Sequence, residues 1–374
     1  MRDLLADARQ RLACEIDSHP APLGEPINAD PWIVSSLLQK SIRRGQKQIA
    51  QRAALTLLKL RGAAIWRRFM VIAFEDVSVG AVDVVTTVVA ASSDAALRKR
   101  CGSDLHVGAY LAGVMADAPK DRSTDYLMSA AEHQPACREF GARCSVMSPD
   151  ERKEAVADLA LPVELRSVAA LFLAGMRSQS IQDWEAHDLE KLGKIYRDLG
   201  VPADFMVAST LAAKKTRDPL TILAPLVWLE IAHGERVWVS EPAMPEIELV
   251  DGIPLYAFDK HTRLGKRAIR ELVRAETPLR HCLDEFVPRS RWQAAAEMAA
   301  FYADAAPVAR RLEWSLSHAV EALGMEADFF KVGVPQAAIQ PLQTAMTAAL
   351  GKLNEIRKAL WIEARTSIRA GEGT

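Results

Sequence analysis

Apolar residues that recur every three to four positions, cut at short intervals by proline and glycine, constrain this chain more than any other feature of its sequence. Leu4, Leu5, Ala8 and Leu12 share one face of a helix, and Leu353, Ile356, Leu360 and Ala364 repeat the pattern near the other end. Between them Gly62, Gly80, Pro119, Pro149, Pro162, Gly200-Val-Pro202, Pro219, Pro278, Pro288 and Gly333-Val-Pro335 divide the chain into helices of ordinary length. Ser148-Pro149-Asp150-Glu151 reads as a capped helix start, because a serine hydroxyl, a proline and two acids all suit the positive end of a helix. One stretch departs from this rhythm. From Arg236 to Phe258, Val237 and Val239, then Ile247 and Leu249, alternate with other residues around a link from Pro242 to Pro245 and a turn at Asp251-Gly252. The expected fold is therefore all-α, a helical bundle whose only extended structure is a small β segment at 236–258. The expected organisation is a helix and Pro-rich linker over 1–28, with Pro20, Pro22 and Gly24. Helical regions follow at 29–135 and 136–235, then the extended arm at 236–258 and a helical region at 259–374.

With 374 residues, 49% of them hydrophobic, the chain can bury the core of one large or two ordinary domains, which excludes a disordered protein. Five cysteines without a C-x-x-C pair suit a reducing compartment, and the first twenty residues lack the basic-then-apolar order of a signal peptide, so a cytoplasmic location is expected. The uncharged stretch from Val332 to Gly351 contains Pro335, Pro341 and three glutamines, so it reads as a soluble helix and not as a membrane span.

Motifs for catalysis are sparse. The chain has no G-x-x-x-x-G-K-[ST], since Gly265-Lys266 lacks both the earlier glycine and the following hydroxyl, and no G-x-G-x-x-G, G-x-S-x-G or H-E-x-x-H. Neither intrinsic nucleotide hydrolysis nor a cofactor is expected. His133, Cys137 and Cys144 could supply soft metal ligands, but their spacing fits no common zinc module and a fourth ligand is missing, so no metal is expected. Asp259 and His261, beside Lys260 and Arg263, form a possible acid–base dyad, although residues two apart on a helix do not face each other. The plainer expectation makes Asp259 the N-cap of a helix running through Ile269. Glu75-Asp76 is expected to cap a neighbouring helix or pair with Arg67 or Arg68.

Charge says more. Lys+Arg 47 against Asp+Glu 48 balances overall, yet Lys40 to Arg68 holds nine basic residues and no acid. Within it Lys40, Arg43, Arg44 and Lys47 have the spacing of one helical face, and Arg263, Lys266, Arg267, Arg270 and Arg274 repeat it later. Two cationic stripes are expected, each suited to phosphates or an acidic partner; the plainer reading makes them solvated faces of helices packed through Leu37, Leu38 and Ile42 or Ile269, Leu272 and Val273.

Four spaced segments resemble a known family. Leu37-Leu38-Gln39-Lys40-Ser41-Ile42-Arg43 is similar to an "hKS(I/V)RG" helix, with Arg44 where glycine is usual, and Ala53-Ala54-Leu55 through Leu60 resembles "AALYWLARM". Ile65 through Val77 is similar to "IARRLVIFASEDIG", and Ala118-Pro119-Lys120 with Asp125-Tyr126-Leu127 resembles "APKSNAAYLA". In order and spacing these match the helical C-terminal, clamp-loader-collar-like region of the MgsA/RarA-type replication-associated recombination AAA+ ATPases, over residues 30–132 and without the ATPase module. The resemblance implies a collar that holds subunits together, commonly as a tetramer, in proteins acting at stalled replication forks.

The leading expectation is thus a non-enzymatic helical scaffold of DNA replication, recombination or repair, self-associating and touching DNA or an acidic partner with its stripes. The apolar Val84, Val85, Val88 and Val89 face is expected to contribute to a homo-oligomer interface, with no membrane involved. Two alternatives stand beside it: an enzyme acting on an anionic or phosphorylated substrate near Asp259 and His261, and a pure protein adaptor to a separate AAA+ ATPase or replication protein.

Overall fold

A computed structural model describes residues 4–18, 25–175, 186–234, 236–275 and 277–371; Pro20, Pro22 and Gly24 of the expected linker lie outside the described residues. The chain is mainly α-helical, with only short antiparallel strands. The helix Pro31–Arg43 starts where Asp30 accepts hydrogen bonds from the backbone N–H groups of Trp32 (2.8 Å) and Ile33 (3.1 Å), with Pro31 in the first turn. After Gly45, in the left-handed region at φ +68°, the chain reverses into Lys47–Arg61, which packs between Pro31–Arg43 and Asp104–Asp117. The helix Ala64–Ile72 widens into a π-helical turn at Ala73–Val77 and stops at Ser78. The capping box at Ser148 forms as expected: its hydroxyl accepts from Glu151 N–H, and the Glu151 carboxylate accepts from Ser148 N–H at 2.7 Å.

The arm at 236–258 holds the strand Val237–Ser240 and a small hairpin of Leu249–Val250 with Ile253–Pro254, whose turn places Asp251 at φ +48° and Gly252 at φ +74°. Extended structure is not confined to it, which corrects the expectation. Arg311–Trp314 is a fourth strand, antiparallel to Val237–Ser240 with Trp238 opposite Glu313. Four residues between helices carry too short a pattern to read. Pairing fixes them, aided by Lys120, whose N–H donates to Arg310 O and whose carbonyl accepts from Leu312 N–H, both at 2.8 Å.

The apolar interior forms two clusters. The first takes in residues from each of the segments 1–28, 29–135 and 136–235, together with the hairpin, Trp314 and Trp361. The second joins Arg263–Arg274, Pro278–Phe286, Trp292–Ala300 and the long helix Gln336–Gly371. Val85, Val88 and Val89 are wholly buried in the first cluster, where their helix Val82–Ser93 meets Ala6–Glu15, Ala64–Ile72 and Ala203–Thr216. That valine face is covered by its own chain, so it is not the exposed interface expected from the sequence. Among the described residues no helix is long and apolar enough to cross a membrane.

Candidate nucleic-acid interface

The first basic stripe turns inward. Ten of the thirteen residues of Pro31–Arg43 are buried, because the helix is enclosed by Lys47–Arg61, the π-helical turn at Ala73–Val77 and the segment around Tyr256. Lys40 pairs with Asp259 at 2.6 Å and donates to the Ser36 hydroxyl at 2.8 Å. Arg43 pairs with Asp76 at 2.6 Å and Glu75 at 3.2 Å, and donates to Ala305 O at 2.7 Å. Arg44 donates to Asp304 O at 2.9 Å and stacks on Tyr256, with its guanidinium 4.5 Å from the ring centroid. Lys47 alone of the four reaches the surface, and it pairs with Asp117 at 2.6 Å. Lys40, Arg43 and Arg44 are therefore not a phosphate-binding stripe, since side chains enclosed in this way cannot touch a nucleic acid.

Two π-helical turns, Ala73–Val77 and Phe301–Ala305, supply the carboxylates and carbonyl that meet Arg43 and the carbonyl that meets Arg44. Asp76 also accepts from Gln39 at 2.9 Å and lies 3.4 Å from Arg122, while Glu75 faces Arg122 at 3.8 Å. Burial pushes the Asp76 carboxyl up, but the Arg43 and Arg122 charges and the hydrogen bonds from Arg43 and Gln39 outweigh it and hold the group below its usual range. Glu75 goes the other way, raised by burial and by the Asp76 charge beside it. The expected partners differ: Arg67 donates to Thr216 O at 2.6 Å and Arg68 to the Gln39 side-chain carbonyl, so neither meets Glu75 or Asp76. The one sequence signal for this cluster was the acid-free run itself, whose apolar neighbours Leu37, Leu38 and Ile42 flank the basic positions closely and leave little of the helix for solvent.

Asp259 is not a helix cap. The cap of Arg263–Arg274 is Thr262, whose hydroxyl accepts from Gly265 N–H at 3.0 Å, and Asp259 is withdrawn to Lys40. Asp259 meets His261 only through the backbone N–H (3.0 Å), so the dyad does not form in the sense that an acid–base reading needs. Cys137 and Cys144 are buried, and burial pushes the Cys137 thiol up to about 12, against the thiolate a metal requires. Among the described residues no group of three or more His, Cys, Asp or Glu side chains could hold a metal ion.

The second stripe faces solvent. In Arg263–Arg274 the apolar positions Ala268, Ile269, Leu272 and Val273 are buried, and Arg263, Lys266, Arg267, Arg270 and Arg274 are all exposed. Arg267 pairs with Glu271 at 3.1 Å and with Glu363 on the C-terminal helix at 3.0 Å. No ion pair engages Arg263, Lys266, Arg270 or Arg274 among the described residues. At 1.5 Å per residue the stripe is about 16 Å long. Positive charge continues past it, with eight Lys and Arg against four acids between Arg263 and Arg291. The helix is strongly amphipathic, but its apolar side is already committed to the second core, so it has nothing to insert into a lipid surface.

Comparison of the sequence with protein-family models, with curated proteins and with solved structures finds no match.

Proposed function

We propose that this protein is a non-enzymatic helical scaffold that holds nucleic acid by its phosphates along the exposed face of Arg263–Arg274. The observation that carries this reading is a helix whose apolar side is fully used in the core, while five cations project from the other side and four of them meet no acid among the described residues. Such a face offers charge without base-reading geometry, so binding is sequence-independent and driven by counterion release. The setting, DNA replication, recombination or repair, rests on the resemblance of residues 30–132 to the collar-like region of the MgsA/RarA-type ATPases. Self-association with Asp30 to Glu132 contributing, and docking to a separate AAA+ ATPase, belong to the same proposal. Light scattering at micromolar concentration then reports a multiple of 41.1 kDa, and a monomer mass contradicts self-association.

The direct test is charge reversal. Arg267→Glu with Arg270→Glu weakens binding to every DNA sequence alike at low salt and lowers the thermal midpoint only slightly, because both residues are exposed and the pairs that Arg267 gives up with Glu271 and Glu363 are surface pairs. Native protein that binds no DNA at low salt, or a double variant that binds as well as the native chain, refutes the proposal and favours a protein adaptor.

A further inference from the structure

We propose that Trp32 and Arg61 form a stacking platform for a base of a single-stranded nucleic acid whose phosphates continue along Arg365 to the Arg263–Arg274 face; this rests on the phosphate-binding reading above. Trp32 stands in the first turn of Pro31–Arg43 and is 61% exposed, whereas Trp66, Trp292, Trp314 and Trp361 are buried. The Arg61 guanidinium lies 4.7 Å from its ring centroid. The exposed Trp238 lies between Val237 and Val239 in a strand, so among the described residues Trp32 alone joins an open indole to a guanidinium over its ring.

The platform connects to the cationic helix through contacts. Arg365 donates to Asn28 O at 3.3 Å, four residues before Trp32 in the chain. Two residues earlier on the same helix, Glu363 pairs with Arg267. Arg365, half-buried and 3.8 Å from Asp251, thus lies on the side of the C-terminal helix that reaches both the segment before Trp32 and, past Glu363, the stripe at Arg267. A backbone can follow that side while a base stacks on the indole, because every base has a π-face and stacking tolerates any sequence. A duplex keeps its base faces inside the helix, so the platform distinguishes single strands from duplex, which the stripe by itself does not.

The experiment compares oligothymidine with a duplex of equal length at one salt concentration, using the native chain, Trp32→Ala, Trp32→Phe and the Arg267→Glu/Arg270→Glu pair. Trp32→Ala is expected to weaken oligothymidine binding by about 5- to 150-fold and leave duplex binding unchanged. Trp32→Phe keeps single-strand affinity within about threefold, because a ring remains. The arginine pair weakens both ligands. Duplex binding with no oligothymidine binding, equal loss of both ligands in Trp32→Ala, or no loss of either, overturns the platform and leaves the stripe standing. A Trp32→Ala protein with a changed oligomeric state and unchanged oligothymidine binding assigns the indole to a protein contact and also overturns it. Native protein that binds neither ligand removes the platform and the phosphate-binding reading together.

Discussion

Arg43 shows how little a basic residue's identity says about which way it points. Its partners Glu75 and Asp76 come from another helix and Ala305 from far along the chain, and together they draw the guanidinium into the interior. The density of cations between Lys40 and Arg68 was legible in the sequence; their direction was not, since it depends on where the acids and carbonyls arrive in three dimensions. Asp76→Asn removes the charge that balances Arg43 and Arg122, and is expected to destabilise the fold by about 3–5 kcal/mol in denaturant titrations. The held-down Asp76 carboxyl stabilises the fold above pH ~4, and this contribution is lost as pH falls through its folded value. Asp218, beside Arg67 and Asp125 in an open groove, behaves in the opposite sense. Burial pushes it up to about 6, so between pH ~4 and 6 the folded state holds a proton that the unfolded chain has released, and stability falls as pH rises. Asp218→Asn, which can still accept from Leu220 N–H, should gain in thermal midpoint over the native protein as pH rises from 4 to 7. A difference that stays constant with pH counts against this account.

Elements were legible where amphipathic contrast is sharp, as in Arg263–Arg274, where apolar and basic positions separate cleanly into a buried and an exposed side. They were illegible where tertiary pairing decides, as in the strand Arg311–Trp314, or where two nearby residues are both of a cap-forming type and only one caps, as with Asp259 and Thr262. Helix packing gives a paired test. Ser317–Lys331 lies so close to Ser123–His133 that a Cβ on Gly324 would stand 2.4 Å from the Tyr126 Cα. Gly324→Ala must push two helices apart and is expected to cost about 1–3 kcal/mol or more. Gly351 in Gln336–Gly371 has nothing within 4 Å of the same atom, so Gly351→Ala is expected to stabilise by about 0.5–1 kcal/mol. Chemical denaturation that gives both variants the same sign contradicts the packing described here.

Across the whole molecule, one stripe of basic residues is consumed in holding two π-helical turns and the hairpin segment against Pro31–Arg43, and the other is left outside a finished core. That asymmetry is the basis for assigning the outer stripe to a polyanion: the inner cations have acids or carbonyls for partners, and among the described residues most of the outer ones have no acid. The outer stripe lies outside residues 30–132, the stretch on which the proposed setting in replication and repair rests. The most direct measurement is the dependence of duplex DNA affinity on salt. The native protein should show a linear log–log fall, and Arg263→Gln, Arg270→Gln and Arg274→Gln together should reduce its slope by about 0.9 for each phosphate contact removed, up to about 2.7. A slope unchanged in the triple variant, or no DNA binding at low salt, would contradict the account.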